Sequence, residues 1–296
     1  MRLTQPFTNI AIVSAMTICL ASLANAQVLP EAEVAIKIPL VSAPTSRPMT
    51  VAYIDQFKRY YVADGGLGPV PGEDDTNSKS QVHVYGLDGA HIQTASPGYN
   101  NRSIYFNPNS KQLETITYNI SSDAGFAPNT GIFSLDLDDK GNLLGSSKDV
   151  FAYNPAFGDA ATMPTYDAEN KLYYAKQERS NLVRLVDLKN REKVGEIKLD
   201  LAAAGVRTDD ISDHYVAYTG VSGEELAILD IDHKAILVFD KNGQFVGKSA
   251  LPAELKLHAN SHYNGLGYAN GMIFVYYERV GEFGTYYGFK FSDKIN

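Results

Sequence analysis

The chain has a single cysteine and no tryptophan in 296 residues. One cysteine excludes an internal disulfide framework and any cysteine-based zinc cluster. No Gly-x-Gly-x-x-Gly or P-loop pattern occurs, and no stretch alternates strand with helix in a βαβ series, so a Rossmann nucleotide-binding fold is excluded. A Gly-x-Ser-x-Gly nucleophile elbow is missing as well. Basic residues are in deficit, 26 against 34 acidic, for a formal net charge of −8. That balance argues against nucleic acid, or an anionic membrane surface, as a main partner. What is present suffices for a core: 44% of residues are hydrophobic, which rules out wholesale disorder. The aromatic set is lopsided, with 19 tyrosines and 13 phenylalanines.

Residues 1–26, MRLTQPFTNIAIVSAMTICLASLANA, read as a cleavable export signal. Arg2 is the only charge, the apolar stretch runs from Ile10 to Leu23, and Ala24-Asn25-Ala26 fits the small-x-small cleavage pattern. The apolar core is short for a bilayer span, and no other stretch approaches span length. After cleavage no membrane span is expected. Cys19 lies inside the apolar core rather than after the cleavage site, which argues against a lipoprotein anchor. Cleavage leaves residues 27–296 as one domain of 270 residues; it removes Arg2 and Cys19, moving the charge to −9. A periplasmic or secreted protein without disulfides must hold together by packing and hydrogen bonding.

The tyrosines mark a repeat. Five segments carry a short β-type run holding a tyrosine, a polar turn and a second alternating run: residues 49–64, 102–119, 163–176, 214–230 and 262–278. A third run follows each (QVHVYGL, GIFSLDLD, LVRLVDL, AILVFD, YYGFKF), and a fourth follows four of them (HIQTA, NLLGSS, KVGEIKL, QFVGKSAL). The turns between third and fourth runs are rich in Asp, Asn and Gly, which is hairpin chemistry. Repeat starts at Arg47, Arg102, Met163, His214 and His262 lie 55, 61, 51 and 48 residues apart. Four strands at that period predict an all-β fold, a single β-propeller with five blades counted. A sixth blade is the alternative, and would have to be hidden. The fifth unit lacks a fourth strand, whereas EAEVAIKIPL (31–40) has strand alternation and no unit of its own. This N-terminal strand is expected to complete the last blade and close the ring. LDLAAAGVRTDD (199–210) and PAELKL (252–257) are the only helix candidates.

The stretches VRLVDLKNREKVGEIKLD (183–200), DDISDHYVAY (209–218) and ELAILDIDHKAILVFDKNGQ (225–244) carry a rhythm similar to known propellers. The chain resembles the exported bacterial propellers of the TolB-like, NHL-repeat and gluconolactonase-like kinds, and more faintly the yellow/royal-jelly propellers. The resemblance spans nearly the whole mature chain and rests on strand rhythm. Many of those relatives have six blades. Gluconolactonase-like propellers hold a cation at the channel mouth with Glu, Asn and Asp; no motif in this chain allows those positions to be carried over.

In a four-stranded meander, first-to-second and third-to-fourth turns lie on one face, and the remaining links on the other. The first set is short throughout. The second set is long in most units: residues 65–80, 120–130, 151–162, 201–212 and 252–261. Long ordered loops tend to carry function, so the mouth of the channel on that face is the expected site. Four of six histidines map there: His214, His233, His258 and His262, with His83 and His91 elsewhere. Three chemistries fit. His214, His258 and His262 would hold one divalent metal ion, zinc or calcium. His214 or His262, paired with Asp64 or Glu278, would give acid–base catalysis of a lyase, lactonase or hydrolase type. Arg47, Arg102, Asn119, Arg179 and Arg279 would bind a small-molecule or carbohydrate-like ligand. A non-enzymatic protein-interaction scaffold of the cell envelope needs none of this chemistry. Tyr53, Tyr105, Tyr166, Tyr218 and Tyr268 recur at one strand position, which suits packing between blades.

Overall fold

Runs such as AILVF and LAILD are apolar along their whole length, the mark of a strand covered on both faces. Outer runs such as EKVGEIK alternate or turn polar. A computed structural model describes residues 28–41, 47–65, 81–97, 101–118, 130–159, 162–257, 265–277 and 284–294. The expected export signal lies outside the described residues. Among those described, no helix is long and apolar enough to cross a membrane.

The strands fall into antiparallel groups in chain order. β2 (Arg47–Ile54), β3 (Arg59–Gly65), β4 (Gln81–Gly86) and β5 (His91–Ala95) form the first four-stranded sheet. β6 (Ser103–Asn107), β7 (Gln112–Tyr118), β8 (Thr130–Leu137) and β9 (Leu143–Asn154) form the second. β10 (Thr165–Asp167), β11 (Leu172–Lys176), β12 (Leu182–Asp187) and β13 (Glu192–Lys198) form the third. β14 (Ala217–Tyr218), β15 (Leu226–Asp230), β16 (Ala235–Phe239) and β17 (Phe245–Ala250) follow. The last group is β18 (Leu266–Ala269), β19 (Met272–Tyr277) and β20 (Thr285–Ser292).

The strand at the start of the chain, β1 (Val28–Pro39), pairs antiparallel with β20, in the outer position that the repeat left empty. A single parallel bridge, Glu31 to Ala250, then links it to β17, so the last two groups are recorded as one eight-stranded sheet. Packing between groups repeats the same relation. The β16–β17 turn sits on β13, with Gly243 against the Lys198 carbonyl; the β4–β5 turn sits on β1, with Gly89 against the Lys37 carbonyl. β1 therefore stands to the first group as β13 stands to the fourth.

First strands meet at the centre. β2 touches β6, β6 touches β10, β10 touches β14, β14 touches β18, and β18 touches β2. The space between them is nearly filled, at about 20 Å³. Burial falls outward: every residue of β15 and β16 is buried, whereas β5 and β13 are mostly exposed. Turns are built by one device used repeatedly. Asn107, Asp138, Asp167 and Asp240 each accept backbone N–H groups two to four residues on, at 2.8–3.3 Å. These Asx turns fold the chain back without using ladder hydrogen bonds.

Three local expectations change. Residues 252–257 form a turn and irregular chain rather than a helix, because Pro252 leads a segment too short to propagate one. Residues 199–210 shrink to one helical turn, Leu201–Ala204, capped by Asp200 and ended by Gly205 at φ 74°, and a 3₁₀ turn at Thr208–Asp210. Residues 151–154 belong to β9 rather than to a loop, since Phe151 is fully buried against Phe157 and Tyr173.

Candidate functional site

β11 ends at Lys176, and the chain leaves it as Gln177-Glu178-Arg179. The link into β14 arrives nearby as Asp213-His214-Tyr215. Backbone pairing fixes that arrival: the Met163 N–H donates to the His214 carbonyl at 2.9 Å, and Met163 bridges Tyr215 in parallel. The Tyr215 hydroxyl then reaches across the centre to the Arg102 carbonyl, 3.0 Å away.

Lys176 ties the two segments together. It is fully buried, and its Nζ donates to the Gln177 carbonyl at 3.0 Å and the Asp213 carbonyl at 3.3 Å. Burial pulls its pKa down to about 8, against the opposing pull of Asp213, Asp159 and Glu178. Its own carbonyl accepts from the buried Thr162 hydroxyl at 2.6 Å. Gln177 is also spent on structure, donating to the carbonyls of Phe157 and Ala175 and accepting from the Asp159 N–H. Arg179, at φ 47°, turns the chain so that its N–H meets Asp213 Oδ1 at 3.2 Å, while its exposed guanidinium lies 4.0 Å from Glu178.

The outcome is a compact donor set. One ligand atom each from Glu178, Asp213 and His214 lies within 4.8 Å of the others; Asp213 and His214 are buried and Glu178 is exposed. An imidazole with two carboxylates, open to solvent on one side, is a donor set that suits a divalent cation. Among the described residues it is the one such cluster.

Gly158 shapes the floor of this region. It sits at φ 92°, and a Cβ there would fall 2.0 Å from Gln177 Oε1 and 2.8 Å from the Arg184 guanidinium. Gly158→Ala is therefore expected to cost on the order of 1–3 kcal/mol through backbone strain alone, read as a lower melting temperature. An unchanged melting temperature would show that the turn tolerates a side chain.

The remaining sequence candidates divide. His214 is in the cluster. Arg179 is beside it. Arg102 is buried, with its carbonyl under Tyr215. For Arg47 and Asp64 the backbone is described, at the end of the β2–β3 pair, and the side chains are not. Asn119, His258, His262, Glu278 and Arg279 lie outside the described residues. His233 is on the same end of the fold but is engaged locally, its Nδ1 3.0 Å from Asp230. Lys176 was not singled out in the sequence: a lysine closing a strand reads as an exposed one, and only packing shows it to be buried.

No family model matches this chain, and no curated protein sequence does. Among solved structures, the fold is similar to that of glutaminyl cyclase from Myxococcus xanthus, at a TM-score of 0.52 and 10% identity, covering 90% of this chain and 98% of that one. Looser similarity extends to a PQQ-bound aldose sugar dehydrogenase from Streptomyces coelicolor (TM-score 0.47, 9% identity, 88% of this chain and 97% of that one). It extends also to a periplasmic gluconolactonase from Pseudomonas aeruginosa (TM-score 0.41, 10% identity, 79% and 69%). The glutaminyl cyclase is a propeller-type structure, so the resemblance read from strand rhythm holds at the level of the fold.

Proposed function

We propose that this chain is an exported five-bladed propeller that binds a small, carbohydrate-like ligand at its long-loop mouth and acts on it by metal-assisted lyase- or hydrolase-type chemistry. The cycle of contacts between first strands, returning from β18 to β2, supports a closed ring of five. The place of β1 beside β20 supports closure by the N-terminal strand.

One observation carries the site: Glu178, Asp213 and His214 converge to within 4.8 Å at the ends of two buried segments that Lys176 holds together. A divalent cation there would polarise a ligand oxygen. The imidazole favours zinc or a similar ion over calcium. Lys176 and Arg179 add two positive charges nearby, against the three carboxylates of Asp159, Glu178 and Asp213. Carboxylate-rich mouths of this kind suit polyhydroxy ligands, whose oxygens can share the cation.

Calorimetric titration of the metal-stripped, purified protein with zinc tests this. One ion per chain is expected, weakened at least about 10–100-fold in His214→Ala and in Asp213→Asn. Sub-stoichiometric binding that ignores both substitutions would sink the metal site. Turnover of sugar lactones and glycosides is expected to fall with metal affinity. A folded His214→Ala protein that keeps full ligand binding would instead favour the envelope scaffold.

A further inference from the structure

The five recurring tyrosines do more than pack. Tyr53, Tyr105, Tyr166, Tyr218 and Tyr268, one from each group of strands, line a single pocket of about 320 Å³ together with Phe106. It lies at the end of the first strands where the short turns gather, opposite the mouth that holds His214. Its lining contains no charged side chain.

A second layer of rings fixes the first. Tyr218 stacks on Tyr174 at 5.2 Å and 18°. Tyr53 lies 4.9 Å from Tyr60, and Tyr166 lies 4.9 Å from Tyr173. Three of the ring hydroxyls already have protein partners. Tyr105 donates to the buried Glu114, and Tyr53 donates to Asp55 at 3.4 Å. Tyr166 accepts from Asn109 Nδ2 at 3.1 Å. The other polar groups of the wall are spent in the same way: Asn270 Nδ2 donates to Tyr60 at 2.7 Å, and the Thr219 hydroxyl donates to the Glu224 carbonyl at 2.7 Å.

The wall is thus rich in π surface and phenol oxygen and poor in available donors. Carboxylates stand behind it: Glu114 at Tyr105, Asp167 at Tyr174 and Tyr218, and, each paired with a lysine, Asp55 at Tyr53 and Glu224, with Lys294, near Tyr268. Lys58, the cation beside Tyr53, is paired with Asp55 at 2.5 Å. A sugar would bring hydroxyls that find few partners, and an anion would meet negative charge. An organic cation meets neither cost, because ring quadrupoles and the field behind them both favour positive charge.

We propose that this tyrosine-ringed pocket is a second binding site, on the face opposite the His214 cluster, for a small organic cation of the quaternary-ammonium or protonated-amine class. Its size, about 320 Å³, is at the small end of ligand pockets and fits such an ion.

The chain has no tryptophan, so its intrinsic fluorescence is that of its 19 tyrosines, the five of this ring among them. Titration with choline at constant ionic strength is expected to give a saturable signal. The neutral isostere 3,3-dimethylbutan-1-ol is expected to bind at least about tenfold more weakly, the factor that cation–π attraction supplies. Tyr53→Leu, a change at a half-buried position, is expected to weaken choline about tenfold, whereas His214→Ala is expected to leave it unchanged. Equal binding of the isostere, glucose binding that is tighter than choline and is lost in Tyr53→Leu, or no saturable choline signal would each overturn the proposal. The isostere comparison uses the unmodified protein, so it decides even if a variant fails to fold.

Discussion

A chain that lacks residues 28–40 is expected to lose its cooperative unfolding transition and to aggregate. Those residues form β1, which runs beside β20 from Val28 opposite Ser292 to Pro39 opposite Thr285. Ile38 is fully buried and Leu40 nearly so, in a cluster with Val51, Tyr60, Phe274 and Tyr286 that joins the first and last groups of strands. Burying each of those two aliphatic side chains is worth about 1.5–3 kcal/mol, and each lost ladder hydrogen bond adds about 0.5–1.5 kcal/mol. A domain of ordinary stability has about 5–15 kcal/mol in all. Losing β1 also bares β20 as an edge and takes away the surface on which the β4–β5 turn rests. Circular dichroism during heating and size-exclusion chromatography measure both consequences. A synthetic peptide of residues 28–40 is expected to restore the transition when added in trans. A truncated protein that stays monomeric and melts cooperatively would show that β1 is dispensable.

Between about pH 11 and pH 12 the protein is expected to unfold in one sharp step. Burial is the main cause that lifts the phenol of Tyr61 to about 12, and it pushes Tyr105, Tyr173, Tyr174 and Tyr218 higher still. Below pH 10 these phenols keep their protons in both the folded and the unfolded chain, so the stability they confer is fully present. Above pH 10 the unfolded chain releases them and the folded one does not. The folded state then binds more protons, and stability falls as pH rises. Each fully buried one removes about 1.4 kcal/mol per pH unit and the partly exposed Tyr218, screened by solvent, less, so the five together remove about 5–7 kcal/mol per unit. One to two units above 10 are enough to exhaust about 5–15 kcal/mol. Phenolate absorbance and far-ultraviolet circular dichroism should therefore change together. A broad tyrosine titration centred near pH 10, with the circular dichroism intact, would contradict the burial of these rings.

Much of the architecture was legible because it follows from alternation and turn chemistry. Third runs such as AILVFD and LVRLVDL coincide with β16 and β12 to within a residue, since a buried strand needs continuous or alternating apolar residues. HIQTA is β5 as read. The partnership of β1 with β20 was also foreseeable, because a unit one strand short and a strand without a unit imply each other. Helix was less legible. PAELKL has helical composition, but so short a segment needs tertiary support to form a helix, and it has none.

The candidate site was partly legible. His214 and Arg179 were placed at the same end of the fold by counting strands. That Glu178, Asp213 and His214 come within 4.8 Å of each other could not be counted, because it depends on how β11 and the link into β14 pack. The five tyrosines show the same division. Their recurrence is a sequence fact, but their shared pocket is a consequence of bringing five first strands to one centre.

By itself, then, the sequence determined the all-β class, the four-strand repeat, the turn positions and the pairing of the N-terminal strand with the last unit, all of which rest on short-range patterns. Only the tertiary structure decided that Lys176 is buried, that Glu178 joins Asp213 and His214, and that the tyrosines face one cavity. Those outcomes depend on side chains distant in sequence competing for the same space, and no local pattern records that competition.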